Sequence, residues 1–348
     1  MRRRLGAQLL AGLWILPGIV SVVFLIFSLL GDPARLVAGQ RSDLATLEAI
    51  RQELGLDQPL YRQYLGYLND VSPLGWLSAE QKASGNYRYL GPRSTGSVVL
   101  KLPYLGRSFQ NRRPVAALYF ERLPATALLA GLSLLLAVAI GIPMGVWAAR
   151  RANTWVDRVL SVGATLGVSA PSFFVGILLV ATFAVALYPY TGLPTGGYIR
   201  RLAADGSHYR LAPVYLLLPV LTLGLRPLSL VFQLTRAGIL SVMPSDYIRT
   251  ARAKGLSETE VYWRHALPNT LGPIATSVSG WLASLLAGTF FVETIFDWPG
   301  IGKLTVDALY SSDYPVIAGV CVATGALFWL INLALNLLYP LLDPRIGS

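Results

Sequence analysis

SDYIRTARAKGLSETEVYWRHALP, residues Ser245 to Pro268, is a charged island late in an otherwise apolar chain. Its local rules describe two short helices and a hinge. Ser245 or Asp246 stands where a side-chain oxygen caps a first helix running through Ile248, Ala251 and Lys254, taking up a backbone N–H that the first turn leaves orphaned. Gly255 supplies the left-handed residue that ends such a helix. Ser257 and Glu260 have the S-x-x-E spacing of a capping box that starts a second helix. Pro268 has no N–H to give, so it closes or kinks that helix.

The surroundings of the island are those of a membrane protein. Across 348 residues the mean hydropathy is +0.53, with 54% hydrophobic and 14% charged residues, outside the range of a soluble globule. A hydrocarbon core about 30 Å thick takes roughly 20 apolar residues per helix. Six stretches supply them: Leu5 to Leu30, Pro124 to Ala149, Val159 to Tyr188, Leu211 to Leu240, Asn269 to Phe296 and Tyr314 to Leu341. The first, behind Arg2, Arg3 and Arg4, is too long for a secretory signal and no small-x-small cleavage site follows it, so it is read as an uncleaved anchor. An all-α protein of six spans results.

Orientation follows from Lys and Arg in the short loops. With the N-terminus in the cytoplasm, the inner segments carry twelve (Arg2 to Arg4; Arg150, Arg151, Arg158; Arg236, Arg249, Arg252, Lys254, Arg264; Arg345) and the short outer loops four (Arg200, Arg201, Arg210, Lys303). The loop from Gly31 to Leu123 holds another twelve, but loops beyond about 60 residues translocate largely regardless of charge. Both termini are therefore expected in the cytoplasm, and the net charge of +11 is assigned to this asymmetry and to lipid headgroups, with no nucleic-acid partner.

Within the long loop, Leu44, Leu47, Ile50 and Leu54, then Tyr61, Tyr64, Leu65 and Leu68, have the spacing of amphipathic helices and predict a small helical cap outside the membrane. From Ser72 to Tyr104 the residues turn to Gly, Pro, Ser, Tyr and Trp without periodicity, which reads as an ordered, irregular insertion. The domain plan is 1–30 as anchor, 31–123 as extracytoplasmic cap, and 124–348 as a five-helix core containing a cytoplasmic loop at 243–268.

Pro143, Pro171, Pro219 and Pro227 lie deep in the spans. Each frees a carbonyl that must find a partner, either in a packing kink or along a water-lined path. Arg226 falls near the middle of the fourth span, where a charge costs about 2.5 to 3.5 kcal/mol and must face protein, water or a partner. Lining the path and meeting a cargo carboxylate is one reading; a salt bridge or carbonyl contact within the bundle is the other.

Little in the chain points to chemistry. Gly300, Gly302 and Lys303 imitate a phosphate loop, but Asp297 stands where its first Gly belongs and Leu304 where Ser or Thr should hold the metal. There is no H-E-x-x-H and no G-x-S-x-G; His208 and His265 are the only histidines. No catalytic residue, metal site or cofactor is assigned. Cys321, the single cysteine, allows no intrachain disulfide and reads as a small buried hydrophobe.

The Ser245 to Pro268 layout resembles the cytoplasmic EAA loop of ABC importer permeases, in which a Gly precedes an I-x-L-P ending by ten residues. Gly255, Leu267 and Pro268 match it; Arg249, Thr250 and His265 stand where the general motif has Glu, Ala and Ile. YIRTARAKGLS with HAL, GDPARL at 31–36, ELGLDQPLYRQYL at 53–65, GRSF at 106–109, ERLPAT at 121–126, SAPSF at 169–173, ETIFDWPGIGKLTVDA from Glu293, DYPV at 313–316 and LLDPRI near the C-terminus resemble the dipeptide, oligopeptide and nickel importer branch. The resemblance implies the type I ABC importer permease fold in a bacterial inner membrane. It implies a second homologous permease, two cytoplasmic ATPase subunits or domains that bind ATP and Mg, and an extracytoplasmic solute-binding protein. It implies that Tyr247, Arg249, Ala251, Arg252, Lys254, Gly255, Leu256 and Pro268 couple to the ATPase, with Tyr247, Ala251 and Lys254 on one contact face. An ion-gradient-driven secondary transporter is the rival; it predicts acidic residues at span centres and repeat symmetry, and the acidic residues here fall outside those centres.

Overall fold

The computed structural model describes residues 2–29, 47–48, 51–52, 56–76, 87–89, 98–198, 200–202, 209–287 and 289–342. Its helices are α1 (Arg2–Leu29), α2 (Leu60–Val71), α3 (Val115–Arg150), α4 (Trp155–Ser169), α5 (Ser172–Leu179), α6 (Tyr188–Thr191), α7 (Val214–Val242), α8 (Asp246–Ala253), α9 (Glu258–Glu260), α10 (Leu271–Ala287), α11 (Phe290–Ile295), α12 (Ile301–Tyr310) and α13 (Tyr314–Leu342). The expected cap helix through Leu44 to Leu54 lies largely outside the described residues.

Two compact units divide the chain, residues 1–121 with 305–329 and residues 122–304 with 330–348. In the first, Val20 and Val23 of α1, Val71 of α2 and Val322 of α13 form a small core. The fold here is not purely helical: β1 (Leu74–Trp76), β3 (Val98–Lys101) and β2 (Tyr87–Tyr89) make an antiparallel sheet in that spatial order, with Leu74 opposite Leu100 and Tyr87 opposite Lys101. This corrects the irregular reading of 72–104. Val98 and Val99 with Trp76, Tyr87 and Tyr89 are good strand formers, but strands of three or four residues are too short to show a periodicity. Buried Asn69 takes the role of a further strand for β1, donating to the Trp76 carbonyl (3.1 Å) and accepting from its N–H (3.0 Å).

Two of the quoted motifs meet in this unit. Buried Asp313 accepts from the Ser108 hydroxyl (2.5 Å) and the Phe109 N–H (2.9 Å), so GRSF and DYPV, more than 200 residues apart, form one clasp.

In the second unit a core gathers around Leu129, Leu218, Leu223, Phe296 and Trp298, the Trp298 indole N–H donating to the Ala125 carbonyl (3.0 Å). A short hairpin of β4 (Arg200–Leu202) and β5 (Tyr209–Leu211) precedes α7. Three helices, Val115–Arg150, Val214–Val242 and α13 over Tyr314–Leu337, are each long and apolar enough to cross a membrane. The expected span Val159 to Tyr188, with Pro171 inside it, is a bent pair: α4 and the Ser172–Ala186 helix, whose last seven residues are π-helical, meet at 109°. The corner is Ala170–Pro171, both extended, because the proline ring drives the residue before it out of the helical region. The pair counts as a fourth span if its two arms form one crossing. Pro143, Pro219 and Pro227 stay inside continuous helices.

Candidate functional site

The 243–268 segment is a helix tied down on one side and open on the other. Ser245 is the backbone N-cap of α8 in an extended conformation, but its side chain makes no capping bond. Ile248 and Ala251 point inward, at 0% and 4% exposure, into a core with Val146 and Ala149 of α3, Ile239 of α7, and Val261, Tyr262, Ala266 and Leu267. Leu256 packs against the same core. The expected contact face is corrected here: Ala251 is buried in the chain's own core, whereas Tyr247, Arg249, Arg252 and Lys254 are exposed. The 3.6-residue period gives two edges of a helix, and only the bundle decides which edge it takes.

The hinge is as the sequence indicates. Gly255 has φ +78°, and its N–H donates to the Arg252 carbonyl (2.9 Å). A β-carbon there would touch nothing, so the demand for glycine is conformational. The capping box is complete: Ser257 Oγ accepts from the Glu260 N–H (3.3 Å), and the Ser257 N–H donates to Glu260 Oε2 (3.2 Å). The Ser257 hydroxyl and N–H hold the Glu260 carboxyl below the usual carboxylate range. Across the hinge, Arg252 donates from Nε (2.8 Å) and Nη2 (3.1 Å) to Glu258. These bonds push the Glu258 carboxyl down and the Arg252 guanidinium up.

Beyond the box the helix does not stop. It loosens into a π-turn over Val261–Ala266, tightens into a 3-10 turn over Leu267–Thr270 and runs into α10. Pro268, in the first turn of that 3-10 piece, marks a change of winding rather than an end.

Sequence reasoning missed the ion pair that anchors α7 just before this segment. Asp157 of α4, almost fully buried, receives Arg236 Nε at 2.5 Å and Nη2 at 2.7 Å, with the Asn153 N–H at 2.9 Å. In the sequence Arg236 reads as one more cytoplasmic charge, and 79 residues separate the partners. It also missed the role of Glu293, which has 0% exposure. Its carboxylate accepts from the hydroxyls of Thr126 (2.7 Å) and Thr289 (2.6 Å) and from the Lys303 N–H (3.0 Å). The segment that imitates a phosphate loop thus wraps a carboxylate of its own chain; at Gly300 a β-carbon would collide with that carboxylate.

Arg226 sits on α7, twelve residues from its start and sixteen from its end, and is exposed. Its guanidinium lies 5.7 Å from the ring centre of Trp281 of α10. Among the described residues no carboxylate pairs with it.

Residues 141–348 match the family described as binding-protein-dependent transport system inner membrane component, and residues 1–85 match the N-terminal family of such membrane components. The glutathione transport system permease protein GsiC of Escherichia coli strain K12 is 37% identical over 331 residues, 94% of either chain. That of Shigella boydii serotype 4 is 36% identical over the same length and shares. A solved structure of the MetNI methionine ABC transporter, in an inward-facing conformation, has a chain that aligns with TM-score 0.51 at 18% identity, covering 66% of this chain and 97% of that one. That likeness is one of fold.

Proposed function

The chain belongs to the family of binding-protein-dependent transport system inner membrane components and is a permease subunit of an ABC importer, not an enzyme, and from that premise we propose how it is organised and coupled. Its 243–268 segment is the cytoplasmic coupling element. The observation that carries this is the two-sided α8, in which Ile248 and Ala251 are buried while Tyr247, Arg249 and Arg252, with Lys254 at its C-cap, are exposed. A helix anchored in the bundle and basic outside is suited to dock on a partner and to move as a lever. Gly255 and Leu256 turn the chain back into the bundle, and Pro268 lets it rewind into α10.

The wider arrangement is six spans with both termini in the cytoplasm, residues 1–30 the anchor, 31–123 an extracytoplasmic cap and 124–348 the five-helix core. The three helices long and apolar enough to cross, the bent pair that adds a fourth if its arms form one crossing, the packed α1 and the charge bias of the short loops support it. A second homologous permease, two ATPase subunits that hold ATP and Mg, and an extracytoplasmic binding protein complete the importer; this chain itself holds no cofactor. The cargo is a peptide or a related small solute, a class to which the glutathione of the named relatives belongs. Arg226 lines the path.

Gly255→Val tests the coupling role. A β-branched residue at φ +78° is strained by roughly 1–2 kcal/mol and redirects α8. The variant inserts in the membrane, but it loses uptake and retains less ATPase on co-purification. Normal uptake by it contradicts the reading.

A further inference from the structure

Arg226 sits where an exposed charge is least expected. At 1.5 Å per residue it lies about 18 Å from one end of α7 and about 24 Å from the other, and α7 is a helix apolar and long enough to cross a bilayer. A guanidinium at that depth does not face hydrocarbon. It is too far from either end of the helix to snorkel. Nor does a carboxylate among the described residues neutralise it, for the only partner it shows is the face of Trp281. An indole attracts the cation and fixes its place without cancelling its charge, and the outward N–H groups remain able to donate.

The surroundings fit a wet surface rather than a lipid one. Arg226, Leu230, Gln233 and Ala237 are spaced four, three and four residues apart, the repeat of one helix face, and all are exposed or half-exposed. On α10, Ser277 and Ser284 flank Trp281 at four residues before and three after, sharing its face; Ser284 is exposed and Ser277 half-exposed. Two helices therefore bring an arginine, a glutamine, two serines and a tryptophan to neighbouring surfaces.

We propose that Arg226, held by Trp281, is a binding site in the translocation path for a carboxylate group of the transported solute. The assignment rests on the permease reading and adds the chemical class of the cargo. The guanidinium offers paired N–H donors that match a carboxylate, and Trp281 both orients it and presents an apolar wall to the rest of the solute. Such a site selects solutes with a free carboxylate, as at a peptide C-terminus.

The test uses the assembled importer and needs no knowledge of the cargo. In a Cys321→Ser background, which leaves this chain without cysteine, Ser284→Cys and Ser277→Cys are reacted with 2-carboxyethyl methanethiosulfonate and with its trimethylammonium analogue. Labelling is read by mass on this chain, and both rates are normalised to those with free 2-mercaptoethanol. The carboxylate reagent is favoured about fivefold or more, as expected for a charge within a Debye length in a poorly screened site. Arg226→Gln removes the preference, and Arg226→Lys retains most of it. No labelling of either cysteine places the surface away from water and overturns the proposal. Equal normalised rates for the two reagents in the Arg226-intact protein overturn it too, because the charge is then neutralised, as by a carboxylate of the second permease, and a preference that Arg226→Gln leaves unchanged overturns it because another cation then supplies the field. ATP hydrolysis by the assembled importer, measured beside the labelling, reports on the permease reading separately: its absence in the Arg226-intact protein counts against that reading, whereas a charge-blind cysteine with normal hydrolysis counts against the site alone.

Discussion

Arg252 and Glu258 close the Gly255 hinge with two parallel hydrogen bonds, 2.8 and 3.1 Å, both donated from the end of α8 and received at the start of α9. The side chains remain 42% and 46% exposed, so the clasp steers geometry more than it stabilises; exposed pairs contribute about 0.2 to 1 kcal/mol. A bidentate pair spanning a left-handed glycine leaves the two short helices one mutual angle. That angle is what a lever needs.

Reversing the clasp tests this role. Arg252→Glu should lower uptake several-fold with little change in thermal stability, and the double variant Arg252→Glu with Glu258→Arg should recover much of it, whereas Arg252→Lys, which keeps the charge and loses the fork, should fall between. The pH dependence has a definite sign. Glu258 is held below its ordinary value of about 4.5 by Arg252, so the clasp contributes in full above about pH 4.5 and is lost as pH falls through the lower folded value. Uptake differences between wild type and Glu258→Gln should therefore be flat from pH 6 to 8.

The Asp157–Arg236 pair calls for a different outcome, because Asp157 is buried, with a side-chain exposure of 4%, and Arg236 is at 28%. Removing one partner leaves the other charge uncompensated, at a cost of about 3 kcal/mol or more. Asp157→Asn and Arg236→Gln should each lower the melting temperature of the purified complex markedly, and the double variant should be less destabilised than the sum. Additive losses would show that the two residues act separately.

Orientation is open to a direct chemical experiment. Cysteines at Leu102, 78% exposed, and at Thr154, between α3 and α4, in a Cys321→Ser background should answer oppositely to a membrane-impermeant thiol reagent. Leu102→Cys labels in intact cells; Thr154→Cys labels only after permeabilisation. Labelling of both from one side contradicts the arrangement of spans.

Some of this architecture is written in short-range rules and some is not. Gly255 and the Ser257–Glu260 box are legible because each is decided within three or four residues, by φ and by one pair of hydrogen bonds. Proline is legible as a perturbation but not in its effect. Pro171 turns the chain by 109°, Pro143 and Pro219 stay within helices and Pro268 only changes the winding, because neighbours decide whether a freed carbonyl is satisfied in place. The spacing of Tyr247, Ala251 and Lys254 defines a face, yet the apolar pocket of Val146, Ile239 and Leu267 rotates Ala251 inward. Asp157 with Arg236, Thr126 with Glu293 and Ser108 with Asp313 are pairings over 79 to 205 residues, which no local pattern encodes. The strands at 74–76, 87–89 and 98–101 escape for the opposite reason, being too short to carry a period.

The central claim, that α8 is an ATPase-facing lever with a defined outer edge, is tested most directly by photocrosslinking in the complete importer. A benzoylphenylalanine at Tyr247, Arg249 or Lys254 should give a covalent adduct with the ATPase subunit, and its yield should change between the ATP-bound and nucleotide-free complex, while the same group at Trp155, 74% exposed on another helix, should give none. Absence of ATPase adducts from all three positions in a complex that still transports would contradict the account.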